Sequence, residues 1–438
     1  MQTVHVRVLD RDTNKPTPVR IRFTDAKGTY FAPLGRLVEF PTGPGEEVGG
    51  QVRVGGRAWA YIDGACEVHL PPGQITVEIC KGVEYTPILR EVTLAAGQLA
   101  LRFAIDHWID PRRGGWHAGD MRAHELSPHA ALVEGAGEGL AVVQVLARER
   151  PGVLRNLLAF SGTEAALRSA ECLVVVNTLN EHPTLGTVGL LDSHRPVYPL
   201  RFGEPGPDEW SVTDWCDQCH RKRGLVVWPD LARLTESHPQ GEALAALVLG
   251  KIDAYEVTDF PDPEPEVLGL YYRLLDAGAR PALVGGSGKE SNAVPLGAVR
   301  TYAQLLPGEE LGPATWAKAV RAGRTFITNG PVLTLTASGA GTRPGRGGGS
   351  RPAGPPDGRG HLRGAVRVAG GAGRQRPDRL QAGLREPAVG ADWKRTSPRN
   401  TVPGWRRGAT PPSGSTPVRV STPTPRPSGS TCPAGRCR

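Results

Sequence analysis

Residues 115–129, GWHAGDMRAHELSPH, bring His117, His124 and His129 together with Asp120, Arg122 and Glu125 inside fifteen positions. Imidazole and carboxylate are the ligand types of borderline and hard divalent ions. A hydrolytic ion needs about three such protein donors and an open position for water. Arg122 runs against that chemistry, because its guanidinium is always charged and has no lone pair to give. It repels a cation and suits a carboxylate or phosphate. Further ionisable groups follow at intervals: Glu181 and His182 after VVVNTLN, Asp230 after VVWP, Asp259 after YEVT, and Ser287, Lys289 and Glu290 after ALVG.

Groups so far apart in the chain meet only if a fold gathers them. From about Ile105 to Ala337 the runs GLAVVQVLA, CLVVVNTLN, GLVVWPD, IDAYEVTDF, RPALVGGSG and GAVRTYAQL are mostly too continuously apolar to have a wet face, and read as parallel strands covered by helices. Helix signals fall between them: Ser127-Pro128 before HAALVEGAG, Ser211 before VTDWCDQCHRK, then HPQGEALAALVLGK, and PEVLGLYYRLLDAG with Gly278 at its end. Repeated βα units suggest a barrel, whose chemistry sits at the carboxyl ends of its strands. Those ends are where the ionisable residues recur. Residues 1–105 differ: short alternating runs such as TVHVRVLD, PVRIRFTD, QITVEICKG and LALRFAI, parted by turn residues, predict a small all-β sandwich.

Composition limits the partners. The net charge of +8 is uneven: residues 339–438 hold 19 Lys+Arg against 4 Asp+Glu, which leaves about −7 for the rest. The body therefore gives no reason to expect a specific nucleic-acid partner. The segment 338–438 has one Lys, many Arg, Gly and Pro, and no apolar period, so it is expected to be disordered; its abrupt start after GPVLTLTAS also suits a shifted reading frame. No run of about eighteen apolar residues crosses a membrane, and the alternating start is unlike a secretion signal, so the expected location is cytoplasmic, or secreted if the true start lies upstream. Apart from Cys432 and Cys437 in the segment 338–438, the cysteines Cys66, Cys80, Cys172, Cys216 and Cys219 are an odd, scattered set that argues for reduced thiols.

Taken in order, GWHAGDMRAH, NEH…LGTVGLL, CHRKRGLVVWPD, YYRLLDAGARPALVGGSGKES…VRTY and GRTFITNGPVL resemble the polymerase and histidinol phosphatase (PHP) superfamily, in its CehA/McbA-type metallohydrolase branch, over residues 108–335. VRVLDRDTNKPTPVRIRFTDAKGTYFAP resembles a carboxypeptidase-regulatory-like sandwich, a module that accompanies enzymes and seldom carries their chemistry. The first resemblance implies a distorted (β/α)7 barrel, an α/β fold. It also implies two or three divalent metals on His, Asp and Glu, with a metal-bound hydroxide that hydrolyses esters or phosphoesters. Several ligands of that pattern are replaced here. Gly-Asp-x-His-x-His reads Gly119 to His124 with Arg122 for the first histidine. Glu181 and His124 survive, Gly-His reads Gly186-Thr187, Trp-Pro-His reads Trp228-Pro229-Asp230, and Gly-Ser-Asp-x-His reads Gly286 to Glu290. Two functions follow. In one, His124, Glu181, Asp230 and Glu290 hold one Mn²⁺, Zn²⁺ or Mg²⁺, with Asp120 and Arg122 as catalytic groups, and a small-molecule ester or phosphoester is hydrolysed. In the other, Arg122 forms salt bridges with Asp120, Glu181 or Asp230, and the barrel binds an anionic or carbohydrate ligand, organised by Arg122 and Lys289, without catalysis.

Other motifs are weaker. Cys216-x-x-Cys219-His220 matches a haem-attachment pattern, but it lies in an expected helix, and no haem is expected. GGSGKES lacks the first Gly and the final Ser or Thr of a phosphate loop, although its backbone N–H groups beside Lys289 could cradle an anion. Ser287, Ser291, His182 and Asp192 form no nucleophile-elbow pattern. Trp116, Trp210, Trp215 and Trp228 read as core residues before they read as a sugar platform.

Overall fold

The computed structural model describes residues 1–43, 49–150, 153–201, 210–229, 241–257, 265–330, 332–335 and 366–369. Nine strands precede the metal-type motif: β1 (Gln2–Asp10), β2 (Val19–Asp25), β3 (Tyr30–Phe31), β4 (Gln51–Val54), β5 (Arg57–Ile62), β6 (Ala65–Leu70), β7 (Gly73–Cys80), β8 (Ile88–Leu94) and β9 (Ala100–Ile105). They form a three-stranded sheet, β6-β1-β9, and a six-stranded one, β4-β5-β2-β7-β8 with β3 on β2. Alternation along each strand turns one face inward, so Val4, Val6, Val8, Ile21, Phe23, Val77, Ile79 and Phe103 share one apolar cluster.

The next elements are β10 (Trp116–Ala123), α1 (Pro128–Gly137), β11 (Val142–Arg150), β12 (Val153–Arg155), β13 (Leu167–Arg168), β14 (Leu173–His182), β15 (Gly186–Leu191), α2 (Val212–Arg221), β16 (Leu225–Trp228), α3 (Gly241–Val248), β17 (Ala254–Val257), α4 (Pro265–Asp276), β18 (Ala282–Gly285), β19 (Arg300–Gln304), α5 (Pro313–Arg321) and β20 (Thr325–Thr328). Ser127 and Ser211 cap α1 and α2 through their hydroxyls, as their positions predicted. The eleven-stranded sheet runs β18-β17-β16-β15-β14-β11-β10-β19-β20, with β12 on β11 and β13 on β14. Its ends approach one another: Thr325 Oγ1 donates to Leu283 O at 2.8 Å, Thr301 Oγ1 bonds both the N–H and the C=O of Gly285, and Lys289 bridges to Ala123. The sheet is therefore a nearly closed barrel.

It is a mixed barrel, not a uniform βα repeat. β10, β11 and β14 are mutually parallel, as are β16, β17 and β18, but β15 is antiparallel to both its neighbours. The reversal comes from a hairpin in which His182 faces Gly186. Because β15 reverses once on each side, both parallel triplets still point their carboxyl ends at one rim. Two further short strands, β21 (Val332–Leu335) and β22 (Val366–Ala369), pair antiparallel. The rest of the segment expected to be disordered lies outside the described residues. No helix among the described residues is long and apolar enough to cross a membrane.

Candidate functional site

The rim carries His124 after β10, Arg148 and Arg150 at the end of β11, Glu181 at the end of β14, Glu256 in β17, and the loop Gly286–Glu290 after β18. His124 is 1% exposed. Its Nδ1 lies 3.4 Å from the carbonyl of Leu146, an atom that only accepts, so Nδ1 carries the proton and Nε2 the lone pair. That Nε2 is buried and has no hydrogen-bond partner among the described residues. Burial, and then the charges of Arg148 and Arg122, hold the imidazole pKa well below its ordinary value, so the ring is neutral.

Arg148, which the sequence reading did not single out, is the hub. Its Nε and Nη2 donate to Glu125 Oε1 at 3.2 and 2.7 Å, and its Nη1 donates to Glu290 Oε1 at 3.0 Å. Arg150, 40% exposed at its side chain, stands more loosely, 3.6 Å from Glu290 and 3.8 Å from Glu125. Burial works against the charge on Glu290, but Arg148, Arg150 and Arg122 together hold the carboxyl below its usual range. Burial raises the Glu181 pKa against the pull of Arg148, Arg201 and Arg150. Of the four residues expected to hold a metal, Glu290 bonds Arg148, and the charge of the same guanidinium bears on His124 and Glu181. Asp230, the fourth, lies outside the described residues, as does Asp259.

The two expected catalytic groups have other work. Asp120 is fully buried and accepts N–H bonds from Arg122 at 3.0 Å, Ser287 at 2.9 Å and Gly297 at 2.7 Å, which ties β10 to the loop after β18. Burial raises its pKa against those bonds. Arg122 Nε donates to Glu256 Oε1 at 2.9 Å, a partner absent from the three that the sequence suggested. A lone acid in the apolar run AYEV was the available signal. Lys289 also departs from expectation: it is 2% exposed, donates to Val294 O at 2.7 Å and pairs with the buried Glu134 of α1 at 3.2 Å, so it is held away from any anion. The anion cradle fails on the same grounds. The N–H groups of Gly286, Ser287, Gly288 and Lys289 donate to Val257 O, Asp120 Oδ1, Arg122 O and Ser287 Oγ. A Cβ on Gly286 would stand 2.8 Å from Arg122 N and 2.9 Å from Glu256 Oε1, so the glycine is there to let this loop close over Arg122.

The donor atoms suit at most one divalent ion, fewer than the two or three that the resemblance implies. His124 Nε2 and Glu181 are available, whereas Glu290 is engaged by Arg148 and Asp120 by backbone N–H groups. Among the described residues no group of three His, Cys, Asp or Glu is placed to hold a metal. Cys216 and Cys219 are buried in the core under α2, where burial pushes the Cys216 thiol up to about 12 and the Cys219 thiol higher still, and His220 Nε2 lies 2.9 Å from Asp253 Oδ2. Trp215 and Trp228 are fully buried core residues.

No known family's sequence profile matches the chain, and no curated protein does. Among solved structures, the chain is similar to a two-domain protein from Bacteroides vulgatus ATCC 8482 containing a predicted PHP-like metal-dependent phosphoesterase, with 13% identity and a TM-score of 0.35 over 49% of this chain. The match spans 65% of that protein, less than two thirds of its length. PsfC from Pseudomonas syringae PB-5123 is similar at 14% identity and a TM-score of 0.35, over 49% of this chain and 91% of PsfC. A Streptococcal ancillary pilin is similar at 14% identity and a TM-score of 0.16, over 28% of this chain and 36% of the pilin. These are remote likenesses.

Proposed function

We propose that the chain is a PHP-type hydrolase that cleaves an ester or phosphoester at this rim, with a donor set reduced to one divalent ion. The observation that carries the reading is His124: a buried, neutral imidazole whose Nδ1–H is fixed on a backbone carbonyl while its Nε2 lone pair has no partner. That is the arrangement of a metal-ligating histidine. His124 and Glu181 would supply two of the about three protein donors that such an ion needs, and the ion when bound supplies Lewis acidity and lowers the pKa of water. The protein's own part is positional. Arg148 fixes Glu125 and Glu290, and the partly exposed Arg150 faces solvent with donors for an anionic group of the substrate. In the cleavage, the oxygen of water bonds to phosphorus or to the acyl carbon, the ester oxygen departs, and that oxygen takes a proton from the same water.

A second reading has an observation of its own. Two buried guanidiniums, Arg122 and Arg148, with 6% and 4% residue exposure, occupy the rim beside His124 and already neutralise its carboxylates. That suits a barrel without chemistry, in which an anion would meet the loosely paired Arg150. One experiment separates the two: purified protein is loaded with Mn²⁺ or Zn²⁺, dialysed, analysed for metal, and assayed with 4-nitrophenyl acetate and bis-(4-nitrophenyl) phosphate. Metal retention with hydrolysis that chelation abolishes supports the first reading. Phosphate binding with neither metal nor hydrolysis supports the second.

A further inference from the structure

Beside the rim, the hairpin β11–β12 and the segment around Tyr198 leave large apolar side chains in water: Val153 is 44% exposed, Leu154 51% and Tyr198 56%. With Leu157, Leu200 and Arg150 they line a groove of about 320 Å³, to which Glu149 also contributes. Scattered apolar residues on a surface need no explanation, but a contiguous lined groove marks a binding surface. Two contacts make it continuous with the rim. Arg150 lines the groove and also stands 3.6 Å from Glu290. On the opposite wall, the carbonyl of Leu200 accepts the N–H of Glu181 at 2.9 Å.

We infer that the substrate is an amphiphilic anionic ester: its phosphate or carboxylate sits against Arg150, and its alkyl or aryl arm lies in the groove over Val153, Leu154 and Tyr198. The inference rests on the reading of the rim as the place of ester cleavage. Charge chooses the headgroup, because the Arg150 guanidinium is partly exposed and only loosely paired. The groove chooses the arm, because Val153, Leu154 and Tyr198 expose apolar surface in it beside Arg150, the headgroup position.

The test is calorimetric titration of the full chain with methyl, butyl and hexyl phosphate, with hexanoate as the carboxylate arm. Each added methylene buried in the groove is expected to tighten binding about two- to four-fold, so that hexyl phosphate binds at least about 30-fold tighter than methyl phosphate. Leu154→Ser and Val153→Ser, each at a half-exposed position of the hairpin, are expected to flatten this series while circular dichroism stays unchanged. Comparison of hexyl phosphate with hexanoate tells which headgroup Arg150 selects. Equal affinity across the phosphate series, a series untouched by both serine variants, or no binding at all overturns the proposal. A chain-length effect that persists in protein without metal or hydrolysis supports the groove and overturns the catalytic reading. Hydrolysis with a flat series does the reverse.

Discussion

Replacing Arg148 by methionine keeps most of the aliphatic stem and removes the charge that organises the rim. The guanidinium makes three hydrogen bonds, two to Glu125 and one to Glu290. Glu125 is the costly partner, since its side chain is 2% exposed, whereas Glu290 at 29% rehydrates readily. Breaking a buried pair and leaving one charge behind costs about 3–5 kcal/mol. Glu125 keeps Arg155 at 3.2 Å, which brings the loss to or somewhat below the lower end of that range, about 2–4 kcal/mol. For a domain of this size that corresponds to a melting temperature lower by about 5–15 °C. Urea unfolding followed by tryptophan emission reads the loss, because Trp215, Trp228 and Trp316 are buried in the barrel. Adding Glu125→Gln to Arg148→Met removes the orphaned charge and is expected to recover about 1–3 kcal/mol. A single-variant loss below about 1 kcal/mol, or no recovery in the double variant, would refute the claim that a buried ion pair organises the rim.

Gly286→Ala forces a methyl group into the space held by Arg122 N and Glu256 Oε1, and is expected to cost about 1–3 kcal/mol in the same unfolding assay; stability within about 0.5 kcal/mol of the parent contradicts the packing described. Asp192 adopts a left-handed backbone, φ 52°, that asparagine also tolerates, and its buried Oδ1 has no hydrogen-bond partner among the described residues. Burial raises its pKa to about 6 despite Arg321, so the folded chain holds a proton there that the unfolded chain releases near 4. Its contribution to stability is present below about pH 4 and is lost as pH rises through about 6. Asp192→Asn should therefore match the parent near pH 4 and exceed it at pH 7 in thermal melts; equal pH profiles from 4 to 7 rule this out.

Much of the scaffold was legible because burial leaves a mark on residue type. VVQVLA, LVVVN and LVVW could lie only in strands covered on both faces, and they became β11, β14 and β16. The direction of β15 was not legible, since GTVGLL carries no periodic signature of which way it runs, and the hairpin at His182–Gly186 decides that. At the rim, sequence order proposed His124, Glu181, Asp230 and Glu290 as one neighbourhood of ligands; Glu290 pairs with Arg148, and Asp230 lies outside the described residues. Sequence order did not identify that neighbourhood's centre, because Arg148 and Arg150 sit in a charged run, ARER, that reads as an ordinary solvated strand end. The partners of Arg122 and Lys289 come from β17 and α1, at sequence distances that no local pattern encodes.

The central claim is that His124 Nε2 is a vacant ligand atom in a site that hydrolyses esters. Titration of the metal-free chain with Mn²⁺ and Zn²⁺, alongside its His124→Ala variant, addresses this directly. The account predicts about one ion per chain for the parent and at least about ten-fold weaker binding in the variant. Less than about one tenth of an ion per chain in the parent, or equal binding in the variant, would contradict it.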